Sequence, residues 1–277
     1  MKKMTLAAMA LLCTMAYGQE LPQPSPTSTV EQRVGLTDLE IVYSRPSVKG
    51  REIFGDLVPM NEVWRTGANA CTKFNTSSDI KVAGKDLSAG DYALFTIPGE
   101  ENWTIIFSTQ TNLWGNSGYS EDGDVLRVEV PVSTGDFDES FFMGFSNLSI
   151  SGAQLDIEWA DVEVHVPITV DSESQSAKNV ARAIAEANNS YRNAASFYSG
   201  KGDHVKALET IEFAVKLDPN NWYTQWVMAE ILQAAGKTKE AKAQGKKAID
   251  MGQEFYDGRG MAFTYRAGLE KDLAGWK

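Results

Sequence analysis

The residues best suited to chemistry are cations gathered in one stretch of an otherwise acidic chain. Arg45, Lys49, Arg51 and Arg65 fall between Tyr43 and Asn69, while the whole chain carries a formal net charge of −11. Trp64 and Asn69 stand among them, and Pro46, Gly50, Gly55, Pro59 and Gly67 fix or free the backbone at intervals. Guanidinium forks match carboxylate and phosphate, and an indole face suits a sugar or a cation. If Arg45, Lys49, Arg51, Trp64, Arg65 and Asn69 converge, they make a pocket for an anionic small molecule, a glycan or a protein. The competing reading is architectural. The arginines then pair with Glu52, Asp56 or Glu62 and with backbone, and Trp64 fills the core. The sequence leaves both open.

Little else points to catalysis. His165 lies between Val164 and Val166, which puts it on the wet side of a strand, and His204 falls between two helices. There is no His-Glu-x-x-His and no cysteine pair, so no zinc ligand set is readable. There is no Gly-x-Ser-x-Gly elbow, phosphate-cradling loop or dinucleotide fingerprint. The expectation is no catalytic residue, no metal and no cofactor. Cys71 reads as a buried thiol, and would pair with His165 as nucleophile and base only if the fold joined them. Asp122 and Asp124 flank Gly123, and Asp136, Asp138 and Glu139 cluster. Such groups suit calcium, paired carboxylates for glycoside hydrolysis, or plain acidic turns. Trp114, Tyr119, Trp222, Tyr223 and Trp226 suit stacking on sugars or a peptide, although Trp222 and Trp226 have helical core spacing. The leading expectation is therefore an exported, non-enzymatic binding protein. The alternative is a hydrolase of envelope or other carbohydrate.

These residues need a scaffold, and the chain divides for one. Lys2 and Lys3, the apolar run Met4–Met15 and Ala16-Tyr17-Gly18 read as a signal peptide over 1–18, cleaved after Gly18. Lipoprotein processing at Cys13 is disfavoured because the bulky Leu12 precedes it. A periplasmic or secreted destination follows. Loss of Lys2 and Lys3 makes the remainder more acidic, which opposes nucleic-acid and anionic-lipid binding. No later stretch reaches the ~18–20 apolar residues of a membrane span.

Residues 19–28 read as a flexible leader, 29–170 as a β domain, 171–176 as a linker and 177–277 as helices. The β domain shows roughly eight to ten short strands with period-two alternation, including a two-strand unit turning at Ala160-Asp161. No long helix interrupts them, so the fold class is α+β, multidomain, with an antiparallel β-sandwich or open barrel first. Helical periodicity covers Asn179–Tyr198, Val205–Leu217, Trp222–Ala235, Thr238–Met251 (stopped at Gly252) and about Met261–Trp276.

Within the helices Gly202, Ala207 and Ala214 recur as Gly236, Ala241 and Ala248, a spacing of 34 residues. With the turn Leu217-Asp218-Pro219-Asn220-Asn221 this resembles the tetratricopeptide repeat, with units at about 188–221 and 222–255 and a capping helix at about 261–276. Gly245 and Gly252 depart from the second unit's pattern. The resemblance implies a peptide or protein partner. A second resemblance covers Thr29 to Val170. Ser44-Arg45-Pro46-x-x-Lys49-Gly50-Arg51, Val63-Trp64-Arg65-Thr66-Gly67-Ala68-Asn69 and Ala89-Gly90-Asp91-Tyr92-Ala93-Leu94-Phe95 are similar to an exported bacterial family catalogued only as a domain of unknown function. That resemblance implies a β domain and no activity.

Overall fold

The structure, a computed structural model, describes residues 21–277. The expected signal peptide, its cleavage point and Cys13 lie outside the described residues. The chain divides into two units, one ending at Ser172 and one beginning at Glu173.

The described part of the first unit is β, apart from a short 3-10 turn at Glu121–Gly123. Its strands are β1 (Thr27–Val34), β2 (Thr37–Ser44), β3 (Thr72–Thr76), β4 (Ile80–Val82), β5 (Lys85–Leu87), β6 (Gly90–Ile97), β7 (Asn102–Ser108), β8 (Asp124–Ser146) and β9 (Gly152–Val170). They form one sheet, every pair antiparallel, in the order β1-β2-β3-β6-β7-β8-β9-β4-β5. The alternation in the sequence explains the burial. Leu39, Ile41 and Tyr43 of β2 point inward, while Asp38, Glu40 and Val42 are less buried. The β1–β2 turn needs only Gly35 and Leu36, and Gly35 takes φ +58° there.

Two expectations change. The segments around 125–130 and 140–145 are one strand, β8. It pairs with β7 along its first part and with β9 along its second. The two-strand unit expected at Ala160-Asp161 is also one strand, β9, because both of its halves pair with β8. Ala160 sits at φ +54° and bends β9 without reversing it. Opposite the bend, β8 shifts register between Thr134 and Asp138 and again before Phe142. β1 also approaches β8 and β9, so the sheet curls around one interior. Trp64, Trp103, Phe141 and Trp159 are at its centre, edge-to-face or stacked on one another and on Phe54.

The second unit is helical: α1 (Ser172–Gly200), α2 (His204–Leu217), α3 (Trp222–Ala234), α4 (Thr238–Asp257) and α5 (Arg266–Gly275). Helix begins at Ser172, within the stretch expected to be a linker. Asp203 and Asn221 cap α2 and α3 by accepting from Lys206 N and Thr224 N. Pro219 stands between those helices. None of the helices among the described residues is long and apolar enough to cross a membrane.

Gly252 does not stop α4, as its position suggested; the helix runs on to Asp257. Glycine is there for packing. A Cβ on Gly252 would lie 2.5 Å from Phe263 Cζ, and one on Gly245 would lie 2.7 Å from Leu273 Cδ1. The chain after α4 therefore lies against a face cleared by two glycines. Phe263 packs there beside Trp226, Ala248 and Ile249. Gly252→Leu should overfill that face and destabilise the helical unit by about 1–3 kcal/mol. The measure is a lower urea midpoint by far-UV circular dichroism; an unchanged midpoint would show that the groove is slack.

Candidate anion-binding cleft

The cation-bearing stretch runs from the end of β2 to the start of β3, two strands that are themselves neighbours. A long irregular connection between paired strands is unusual unless it has a job of its own. It is fastened at both sides. Phe141 N donates to Pro46 O at 2.9 Å and Val48 N to Glu139 O at 2.8 Å, which tie it to β8. Asn61 N donates to Pro98 O at 2.8 Å, while Trp64 and Thr96 exchange backbone hydrogen bonds of 2.7 and 2.9 Å, which tie it to β6. Val48, Ile53, Val58 and Trp64 descend from it into the core.

The loop's backbone is contorted. Lys49, Asn61, Thr66 and Asn69 have φ between +51° and +60°, and Gly67 has φ +139°. A β-branched residue in the left-handed region is disfavoured by about 1–3 kcal/mol. Thr66 is held there because it is fully buried. Its Oγ1 donates to Thr96 Oγ1 at 3.1 Å, and Thr72 Oγ1 donates to its carbonyl at 2.5 Å. Gly67 has no alternative, since a Cβ would lie 2.9 Å from Ser44 O.

The six residues singled out in the sequence separate into two groups. Arg51, Trp64 and Arg65 line one cleft of about 210 Å³, together with Pro46, Val58 and Trp159. Arg45, Lys49 and Asn69 do not line it. Arg45 Nε donates to Phe141 O at 2.8 Å, and its guanidinium lies 5.7 Å from the Phe142 ring centre. Lys49 is exposed, and its backbone N–H donates to Glu139 Oε1 at 2.9 Å. Asn69 Nδ2 donates to Ser25 O and Ser44 Oγ, each at 3.2 Å, bridging the segment before β1 to the end of β2.

Within the cleft the arginines differ. Arg51 uses part of its fork on its own turn, Nε to Val48 O at 3.0 Å and Nη2 to Ser47 O at 2.6 Å. Its Nη1 has no partner among the described residues. The Arg65 guanidinium makes no hydrogen bond and no ion pair among the described residues, and its Nε is buried and unsatisfied. Its Nη1 is packed on Gly115, where a Cβ would come within 2.5 Å. Neither Glu52, Asp56 nor Glu62 forms an ion pair with either arginine. Trp159 is 2% exposed, and its indole N–H also lacks an acceptor. Trp64 is different: its Nε1 donates to Gly67 O at 3.1 Å. Two residues that line the cleft, Arg65 and Trp159, thus each carry a buried N–H with no acceptor among the described residues. Trp159, which lines the cleft, and Gly115, which packs on Arg65, were not anticipated. The only hint was their residue type.

The other groups weighed from sequence lie elsewhere. Asp124 accepts from Tyr119 OH at 2.6 Å and pairs with Arg127 at 3.2 Å. Burial pushes its carboxyl upward, against the opposing pull of those two partners. Asp122, Asp136 and Glu139 are exposed. Cys71 packs with Ala93, Phe95 and Ile106 in a small core of its own. His165 sits among carboxylates on β9. Trp114 is exposed and Trp226 buried, while Tyr223 is exposed beneath Arg192 at 4.9 Å.

A family model described as a protein of unknown function (DUF2911) matches residues 25–168, the β unit that carries the cleft. No curated protein and no solved structure matches the chain.

Substitutions separate the parts of the cleft. Trp64→Ala should destabilise the β unit by about 3–5 kcal/mol through cavity formation. Arg65→Met should leave stability equal or higher, because it removes a buried donor that has no partner. Urea unfolding followed by tryptophan fluorescence checks both. A loss above about 1 kcal/mol in Arg65→Met would mean that the guanidinium holds the loop together.

Proposed function

We propose, for a chain that belongs to the DUF2911 family of proteins of unknown function, a non-enzymatic role in binding a small anion. The observation that carries this reading is Arg65, a guanidinium seated in a cleft with no acid opposite it. Arg51 lines the same cleft, and Trp159, which also lines it, has a buried indole N–H without an acceptor. The volume, about 210 Å³, is below the roughly 300–1,000 Å³ of pockets that enclose drug-sized ligands. A carboxylate or phosphate on a compact body fits, as does the anionic end of a longer molecule such as a glycan or peptide. The apolar wall from Val58 and the two indoles gives such a body something to pack on.

Around that site the reading extends to the rest of the chain. The protein is exported, on the strength of its leader sequence. The curl of the sheet supports a sandwich or open barrel. The helices are read as tetratricopeptide-like units that present a surface to a peptide or protein. Support for that comes from Ala207, Ala214, Ala241 and Ala248, all fully buried at the repeating positions. The hydrolase alternative draws less support, because Asp124 is already engaged by Tyr119 and Arg127.

The test is a thermal-shift panel of small carboxylates, phosphates and acidic sugars on the wild-type protein, Arg65→Met and Arg51→Met. A ligand at a hundred times its Kd stabilises the native state by about 2.7 kcal/mol. The expected result is a shift with at least one anion, abolished in Arg65→Met and reduced in Arg51→Met. Absence of any shift across the panel, or one that both variants retain, would sink the reading.

A further inference from the structure

The bend in β9 gathers a second set of groups. In an unbroken strand, residues nine apart would be separated by about 30 Å at ~3.3 Å per residue. Here β9 bends at Ala160, where φ is +54°, and side chains from either side of the bend meet. His165 Nδ1 lies 2.8 Å from Asp156 Oδ1, and His165 Nε2 lies 3.4 Å from Glu163 Oε2. Glu158 completes the group: one donor atom each from Asp156, Glu158 and His165 can be chosen so that all lie within 4.8 Å of one another.

We propose that this bend is a binding site for a divalent transition-metal ion, with Asp156, Glu158 and His165 as ligands and Glu163 beside them.

Three features argue for a cation there. The first is the donor set. An imidazole nitrogen with carboxylate oxygens suits zinc or manganese, whereas calcium and magnesium prefer oxygen alone. The second is charge. Asp156 is 5% exposed, yet no lysine or arginine pairs with Asp156, Glu158 or Glu163 among the described residues. His165 is the one basic group paired with them, so three carboxylates face at most one positive charge. Burial first, then the charges of Asp156, Asp138 and Glu163, push the Glu158 carboxyl upward, and His165 offsets this only in part. Buried carboxylates are stable as anions when a cation is paired with them. The third is support from behind. Gln154 Nε2 donates to Asp156 Oδ1 at 2.8 Å, the kind of outer contact that orients a ligand. The Glu158 side chain makes no hydrogen bond or ion pair among the described residues, so its carboxylate is free to turn toward a cation.

The experiment is isothermal titration of tag-free, chelator-stripped protein with zinc chloride, manganese chloride and calcium chloride in turn. His165→Gln and Glu158→Gln are the variants, chosen because both residues are half-exposed; Asp122→Asn is the control. Expected is one zinc or manganese ion per chain, with affinity reduced at least tenfold in each variant and unchanged in the control. Cobalt substitution should give a visible absorption band that changes in His165→Gln. Three outcomes overturn the proposal. They are no saturable binding of zinc or manganese, binding that both variants retain, and binding of calcium in preference to both transition metals. In the first case His165 serves only as a hydrogen-bond partner of its neighbours.

Discussion

The seating of Trp64 in the core is the constraint from which the β unit's surface follows. Its indole stacks on Trp159 with centroids 5.9 Å apart and planes 15° apart, and meets Phe54, Trp103 and Phe141 edge-on. Burying an indole of ~200 Å² or more contributes about 5 kcal/mol as an upper value. That exceeds the ~1–3 kcal/mol of strain at Thr66 two residues on. The loop therefore holds a backbone it would not adopt by itself. The exchanged hydrogen bonds between Trp64 and Thr96 keep the register in which the indole points inward.

Arg65 inherits its place from this. Trp64 and Thr66 are both buried, so the residue between them is turned away from the core and against Gly115. Packing and backbone geometry position the guanidinium; no acid does. Ion pairs would have neutralised it, and the acids of the same stretch are directed elsewhere. A charge fixed by its neighbours' burial loses little further freedom when it meets an anion, which is what pre-organisation means energetically.

The parts legible in the sequence are those that local pattern determines. Alternation at Leu39, Ile41 and Tyr43 marked β2, and the small residues at Ala207, Ala214, Ala241 and Ala248 marked close helix contacts. The change from β to helix near residue 171 followed from composition. The cation-rich stretch stood out by charge, but charge could not say which cations would share a cleft. Arg45 satisfies a carbonyl on β8, and Asn69 ties backbone together. Both depend on partners tens of residues away. Gly252 read as a helix stop because glycine commonly ends helices. Its actual neighbour, Phe263, comes from the chain beyond α4. The His165 cluster was hidden for a related reason. Gln154, Asp156 and Glu158 alternate outward, as do Glu163 and His165, and only the bend between them makes one face of two.

The cleft and the bend are not independent pieces of surface. Trp159 is a wall of the cleft, and it sits between Glu158, on the outward side of β9, and Ala160, where the strand turns. Its ring is stacked on Trp64, the residue that sets Arg65 in place. Interiors packed at the density of organic crystals do not absorb displacements locally. A change in the angle of β9 must therefore move the Trp159 ring, or else break its stack with Trp64. One buried pair of indoles thus fixes the geometry of the arginine cleft on one side and of the imidazole–carboxylate cluster on the other.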